Sequence, residues 1–319
     1  MTRASKHYSS SPFGRILDSH VVTLILEATK LGKRYRHKWA LSDCTLSIPE
    51  GHVVGIVGPN GSGKSTLLNL AAGLLAPSSG KLNVLGGPPA RDAIVLGRVG
   101  FVAQDPPVFS SLSVNDHLRF GAHLNRRWDT ALAEHRIEDV GLDPKQRAGK
   151  LSGGQRAQLA LILAIAKHPE LLLLDEPVAS LDPLARREFL QVLMETVAEG
   201  QVTIVLSSHL VSDIERVCDY LIVLADSRVQ VASQVEELLS SHHRLIGARC
   251  DPHDYPANQA VIDSSHTDRQ SNLIVRSDGP VLGESWTIEP VSLEDLVLAY
   301  MTRGRHPGSH PRNDREVGA

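Results

Sequence analysis

Apolar positions along the chain recur with two different periods. From Val21 to Leu31, and again from Leu41 to Ile48, they return at strand-like intervals. Pro49-Glu50-Gly51 makes a turn, and the short apolar run Val53 to Val57 has the composition of a strand buried on both faces. Ser65 to Leu75 is helical in spacing and stops ahead of Pro77. Val99 to Ala103 predicts a further core strand, and residues 110–142 read as helical with Ser113 as N-cap. A helix from about Gly154 to Lys167 precedes the strand Leu171 to Leu174, and Pro183, suited to a first helical turn, opens a helix running to Ala198. Val202 to Leu206, Val211 to Val217 and Tyr220 to Leu224 then repeat strand, helix and strand. This alternation predicts an α/β fold with a mostly parallel core sheet.

After about residue 240 the pattern weakens. Short β-like segments (Leu273 to Val275, Trp286 to Ile288) lie among Asp, Ser, Asn, Gly and Pro, and an amphipathic helix follows from Leu293 to Tyr300. The expected organisation is a disordered leader over 1–20, a main domain over 21–240, a small α+β appendage over 241–301 and a disordered tail over 302–319.

Composition narrows the class. With 42% hydrophobic and 22% charged residues, the 319-residue chain can bury a sizeable core. A net charge of -3 gives no basic surplus, so no nucleic-acid partner is expected. No apolar stretch approaches the roughly 18 residues needed to cross a bilayer, and the N-terminal stretch lacks the apolar core of a secretory signal. Cys44, Cys218 and Cys250 have neither disulfide nor metal spacing and read as buried thiols of a reducing compartment. The scattered histidines, including the His242-His243 pair, read as surface residues.

Two segments carry chemistry. Gly58-Pro59-Asn60-Gly61-Ser62-Gly63-Lys64-Ser65-Thr66 lies between an apolar strand and a helix and matches the phosphate-binding P-loop pattern. Its glycines let successive N–H groups face an anion, and the following helix points its positive end at the same place. Lys64 would neutralise the β- and γ-phosphates, and Ser65 would sit on Mg²⁺. In Leu171 to Glu176 a buried strand delivers Asp175 to its C-terminal end, where ligands bind in open α/β sheets. There Asp175 can hold Mg²⁺, and Glu176 can act as general base on a water. Either acid alone would be an ordinary strand-end residue; the upstream P-loop makes the pair informative.

Leu151-Ser152-Gly153-Gly154-Gln155, a small-residue loop opening a helix, resembles the signature sequence of the ATP-binding-cassette (ABC) ATPase family. The resemblance covers about residues 22–240 and implies a P-loop NTPase fold with an N-terminal antiparallel β subdomain and a helical subdomain over about 105–165. It implies that Ser152, Gly153, Gly154 and Gln155 close over ATP held by a second ATP-binding subunit, in a head-to-tail dimer that both intact half-sites permit to be a homodimer. On the same footing Gln104 resembles the glutamine that touches Mg²⁺ and senses a membrane partner. Asp182, in Ser180-Leu181-Asp182, resembles the loop linking the two sites, and His209 resembles the switch histidine at the γ-phosphate. Tyr35 stands where the family stacks a ring on adenine, with Trp39 as its rival. Val178 and Leu163 depart from the commonest family residues, and Asp226-Ser227 replaces the usual Asp-Gly turn. The implied function is ATP hydrolysis, with Mg²⁺, on the cytoplasmic face of the cell membrane, driving a separate transmembrane permease subunit. The context Ser207-Ser208-His209-Leu210 resembles exporters of the drug-resistance type. An importer subunit is an alternative, as is a translation factor or a DNA-repair or chromosome ATPase. The single cassette, without a long coiled coil or zinc insert, weighs against the last two.

Overall fold

A computed structural model of the chain describes residues 23–106, 108–200, 202–251, 259–277, 279 and 285–305. The elements in the first half are β1 (Leu24–Tyr35), β2 (Lys38–Pro49), β3 (Val53–Val57), α1 (Lys64–Ala71), β4 (Ser79–Val84), α2 (Ala93–Arg98) and β5 (Val99–Val102). There follow α3 (Val114–Leu124), α4 (Thr130–Asp139), α5 (Gly153–Ile165), β6 (Leu171–Leu174), α6 (Pro183–Glu199), β7 (Thr203–Ser208) and α7 (Val211–Glu215). The chain continues through β8 (Tyr220–Ala225), β9 (Arg228–Gln234), α8 (Val235–Ser241), β10 (His242–Ala248), β11 (Ala260–His266), β12 (Gln270–Arg276), β13 (Trp286–Pro290) and α9 (Leu293–Arg305).

The core sheet runs β5-β6-β7-β3-β8-β9, with the first five strands parallel and β9 antiparallel at the edge. Because β3, β5, β6 and β7 are parallel neighbours, the loops after Val57, Val102, Leu174 and Ser208 emerge on one edge of the sheet. That edge is where the P-loop, Gln104, Asp175, Glu176 and His209 fall. The four leucines of β6 are fully buried, each contributing about 1.5–3 kcal/mol of burial free energy before entropy. A second sheet, β2-β1-β4, is antiparallel and presses its buried face onto α1 through Leu26, Leu41, Leu67 and Leu70.

Helix α5 joins two cores. Ala157, Leu161 and Ile165 pack under the main sheet, whereas Leu159 and Ile162 pack with Val114, Leu118, Ala133 and Ile137 of α3 and α4. The single helical stretch expected over 110–142 is in fact two helices. Asn125 ends α3, and Asp129 starts α4 by accepting the Leu132 N–H at 2.9 Å. Arg98 and Arg127 clasp Glu170, just ahead of β6, at 2.5 and 3.0 Å. The Arg98 hydrogen bond holds the Glu170 carboxyl below the usual carboxylate range. A group whose folded pKa is depressed stabilises above its unfolded pKa and loses that contribution as pH falls through the folded value. Glu170→Gln should therefore cost about 1 kcal/mol at pH 7 and almost nothing at pH 2, measured by urea unfolding at both pH values.

The C-terminal strands form an antiparallel sheet, β11-β12-β10-β13. Among the described residues Leu245, Leu273 and Val275, with Val261 and Trp286 packed against them, make a small separate cluster there. Leu293, Leu296, Val297 and Tyr300 of α9 instead belong to the same cluster as Val53, Leu172, Leu206 and Leu221. The C-terminal segment therefore shares the core of the main body. Two expectations need correction. The tail expected to be disordered from 302 is helical to Arg305, because α9 continues without a break; residues 306–319, like the leader over 1–20, lie outside the described residues. His117 and His242 are buried, not at the surface. His117 donates from Nδ1 to Ser113 O and accepts the Phe109 N–H at Nε2, while His242 bridges Leu238 O and the Tyr300 hydroxyl. Both rings exchange water for fixed partners on each nitrogen. Cys44 is buried and Cys218 and Cys250 are half-buried, all as free thiols.

Candidate nucleotide site

The loop after β3 is shaped by steric exclusion. A Cβ on Gly58 would lie 2.2 Å from Leu224 O. Gly63 (φ 111°) is the N-cap of α1, and a Cβ there would lie 2.4 Å from Ala40 O. With no side chain capping α1, its first amides are left for an external acceptor, which is how a helix start becomes an anion site. The Ser62 hydroxyl, buried inside the loop, has no protein partner. Lys64, 5% exposed, donates from Nζ to Gly58 O at 2.8 Å and stands 3.3 Å from Glu176 Oε1.

The acids arrive from β6. Asp175 Oδ1 accepts two hydroxyl hydrogen bonds, from Ser65 at 3.0 Å and from Ser207 at 2.8 Å. Glu176 sits in the left-handed region (φ 45°), donates its N–H to Ser207 Oγ and meets His209 Nδ1 through Oε2 at 2.8 Å. A left-handed glutamate costs of order 1 kcal/mol, so the surrounding bonds must hold it there. Lys64, Glu176 and His209 thus form a continuous chain of charge-assisted contacts.

A cavity of about 610 Å³ covers this arrangement, with Tyr35, Asn60, Gly61, Gly63, Lys64, Ser65, Thr66, Gln104, Glu176 and His209 in its wall. Gly58, Pro59, Ser62 and Asp175 lie behind that wall, in the loop and at the strand end. Of the two aromatic rivals, Tyr35 lines the cavity and Trp39 does not; Trp39 lies under the Arg34 guanidinium, 5.9 Å from its ring centre. Lys38 and Ala179 also line the cavity, and the sequence offered no motif for either.

Ser152, Gly153, Gly154, Gln155 and Asp182 do not line this cavity. Ser152 caps α5 in a reciprocal box with Gln155, at 3.1 and 3.0 Å, while Ser152 and Gly153 face solvent. Asp182 caps α6 by accepting the Leu184 and Ala185 N–H groups at 3.0 Å. The two helix starts abut, since a Cβ on Gly154 would come 3.0 Å from the Ala185 Cβ. Within one chain the P-loop and the loop at Ser152 lie apart, and only the first lines the cavity.

A second hollow, of about 800 Å³, lies away from the P-loop between α2 and the end of α3. Leu74, Ile94, Leu96 and Leu124 line it and are exposed. Arg98, Arg126, Arg127 and Lys167 supply positive charge around it, and burial lowers the Lys167 pKa below the ordinary lysine value. It adjoins a smaller apolar hollow containing Phe109 and Phe120.

Comparison with known proteins gives consistent matches. The family model described as "ABC transporter" matches residues 41–179. The thiamine import ATP-binding protein ThiQ of Salmonella typhimurium is 37% identical over 206 residues, covering 61% of this chain and 86% of that protein. The Nod factor export ATP-binding protein I of Cupriavidus pinatubonensis is 35% identical over 302 residues, covering 88% of this chain and 92% of that protein. Among solved structures, cbiO1 from Clostridium perfringens, part of the ABC transporter complex cbiONQ, superposes with a TM-score of 0.59 at 30% identity. That superposition covers 68% of this chain and 91% of cbiO1.

Proposed function

The chain belongs to the family of ABC transporter ATP-binding subunits, which hydrolyse ATP to power transport, and on that premise we propose how its residues divide the work. The observation that carries the reading is the meeting of Lys64, Ser65, Asp175, Glu176 and His209 at one sheet edge beneath a single cavity.

Tyr35 stacks on adenine, and the amides of residues 58–66 with Lys64 hold the phosphates. The uncapped start of α1 fits a phosphate group, which would take up its free amides. Ser65, Asp175 and Gln104 offer hydroxyl, carboxylate and amide oxygens, the donor chemistry that Mg²⁺ takes alongside phosphate and water. When bound, Mg²⁺ neutralises charge developing on the β- and γ-phosphates. A phosphate competes with Glu176 for Lys64, and Glu176 released from Lys64 is the general base that takes a proton from water. His209, held by Glu176, orients that water and the γ-phosphate. Ser152, Gly154 and Asp182 complete the site of a second, identical subunit, consistent with their place outside their own cavity, where Ser152 and Asp182 face solvent. ATP-binding assays on Lys64→Ala test the cradle, which predicts at least a tenfold loss of affinity.

No helix among the described residues is long and apolar enough to cross a membrane. ABC transporter ATP-binding subunits work with a membrane permease, and we take that partner to be a separate chain. The hollow edged by Leu74, Ile94 and Leu124 is its dock, at the cytoplasmic face of the membrane, because an exposed apolar surface of this kind seeks cover. Ile94→Arg with Leu124→Arg should prevent co-purification with the co-expressed permease while the isolated chain's ATPase rate stays within about twofold. Export is the favoured direction. The alignment with the Nod factor export protein covers 88% of the chain and so reaches into the C-terminal sheet, whereas that with ThiQ covers 61%. Transport assays in vesicles with the permease test direction.

A further inference from the structure

We infer that Ser207 is a positioning residue for ATP hydrolysis, its hydroxyl setting both acids of the site at once; the inference rests on the roles proposed above for Asp175 and Glu176. Ser207 is fully buried near the end of β7, where it pairs with Ile56 of β3, one residue past the last rung between β6 and β7 at Leu174 and Leu206. Beyond that rung β6 turns away, because Glu176 adopts φ 45°. The Ser207 hydroxyl takes over where the ladder stops, accepting the Glu176 N–H and donating to Asp175 Oδ1, both at 2.8 Å. One buried oxygen therefore fixes the carboxylate of Asp175 and the backbone turn that aims the Glu176 side chain at the cavity.

The neighbouring Ser208 does something different. It bonds Asp213 at 3.4 Å and accepts the Leu210 N–H, shaping the loop that carries His209. Removing the Ser207 oxygen leaves two buried polar groups, the Glu176 N–H and one acceptor site on Asp175, to find new partners. The strained turn at Glu176 is then free to relax. Displacing a general base by an ångström costs on the order of 10²-fold in rate. Ser207 does not line the cavity that holds Lys64 and Tyr35, so binding should change little.

The test is steady-state ATP hydrolysis by the full chain carrying Ser207→Ala or Ser207→Thr, beside Lys64→Ala and Glu176→Gln. Ser207→Ala should lower kcat by about 10- to 100-fold with KM for ATP within about threefold, and Ser207→Thr, which restores a hydroxyl on a strand position, should recover most of the rate. If the Ala chain does not fold, Ser207→Cys, a weak hydrogen-bond donor of similar size, takes its place with the same expectation. Wild-type kcat in the folded Ala or Cys chain, or equal losses in the Ala and Thr chains, would overturn the inference. Wild-type rates in Lys64→Ala and Glu176→Gln would instead overturn the site assignment beneath it.

Discussion

Glu176→Gln is expected to reduce ATP turnover by about 10³-fold while ATP still binds. The substitution keeps the shape of the side chain, and an amide oxygen can still accept from His209, which now stands 2.8 Å from Oε2. What is lost is the ability to take a proton. The ion pair with Lys64 at 3.3 Å also disappears, leaving the lysine bound to Gly58 O and open to phosphate. ATP affinity should therefore hold or rise as kcat collapses, a split that phosphate-release kinetics and equilibrium nucleotide binding resolve together. Unchanged kcat would remove Glu176 from the mechanism.

Ser152→Asp carries the second large effect, because it separates an ordinary helix cap from a catalytic loop. Aspartate caps helices as well as serine does, and a negative charge at the start of α5 favours the macrodipole. Folding stability should stay within about 0.5 kcal/mol of wild type, since Ser152 is exposed and makes only its reciprocal box with Gln155. Turnover should nonetheless fall by about 10²-fold, since a carboxylate now faces the γ-phosphate held by the other subunit. Chemical denaturation beside ATPase assays gives both numbers. A silent substitution would reduce the loop to a cap.

The chemistry of one half-site was legible because it is local. Residues 53–66 and 171–176 each combine a fully buried strand with a loop whose residue types are dictated by phosphate or metal, and no distant partner is needed to read them. What escaped reading depends on distance. Ser79–Val84 is mostly exposed and polar, and it is a strand only because β1 offers it a ladder. The gap between α3 and α4 contains neither glycine nor proline; Asp129 and the buried face of α4 create it. His242 looked like surface because its partner Tyr300 lies 58 residues away. Ser207 carried no signal beyond preceding His209, and its meaning appears only where β7 passes the end of β6. Tyr35 was the sequence candidate with Trp39 as its rival, and of the two only Tyr35 lines the cavity.

The central claim is that each working site combines the P-loop of one chain with the signature loop of another. Mixing Lys64→Ala chains with Ser152→Asp chains tests it most directly. In a mixed dimer one site joins an intact P-loop to an intact signature loop, and the other site carries both defects. Each variant alone should be nearly inactive, and an equimolar mixture should recover about a quarter of the wild-type rate, since half the dimers are mixed and each has one sound site of two. A mixture no more active than its components, or a Ser152→Asp chain fully active by itself, would contradict the shared site.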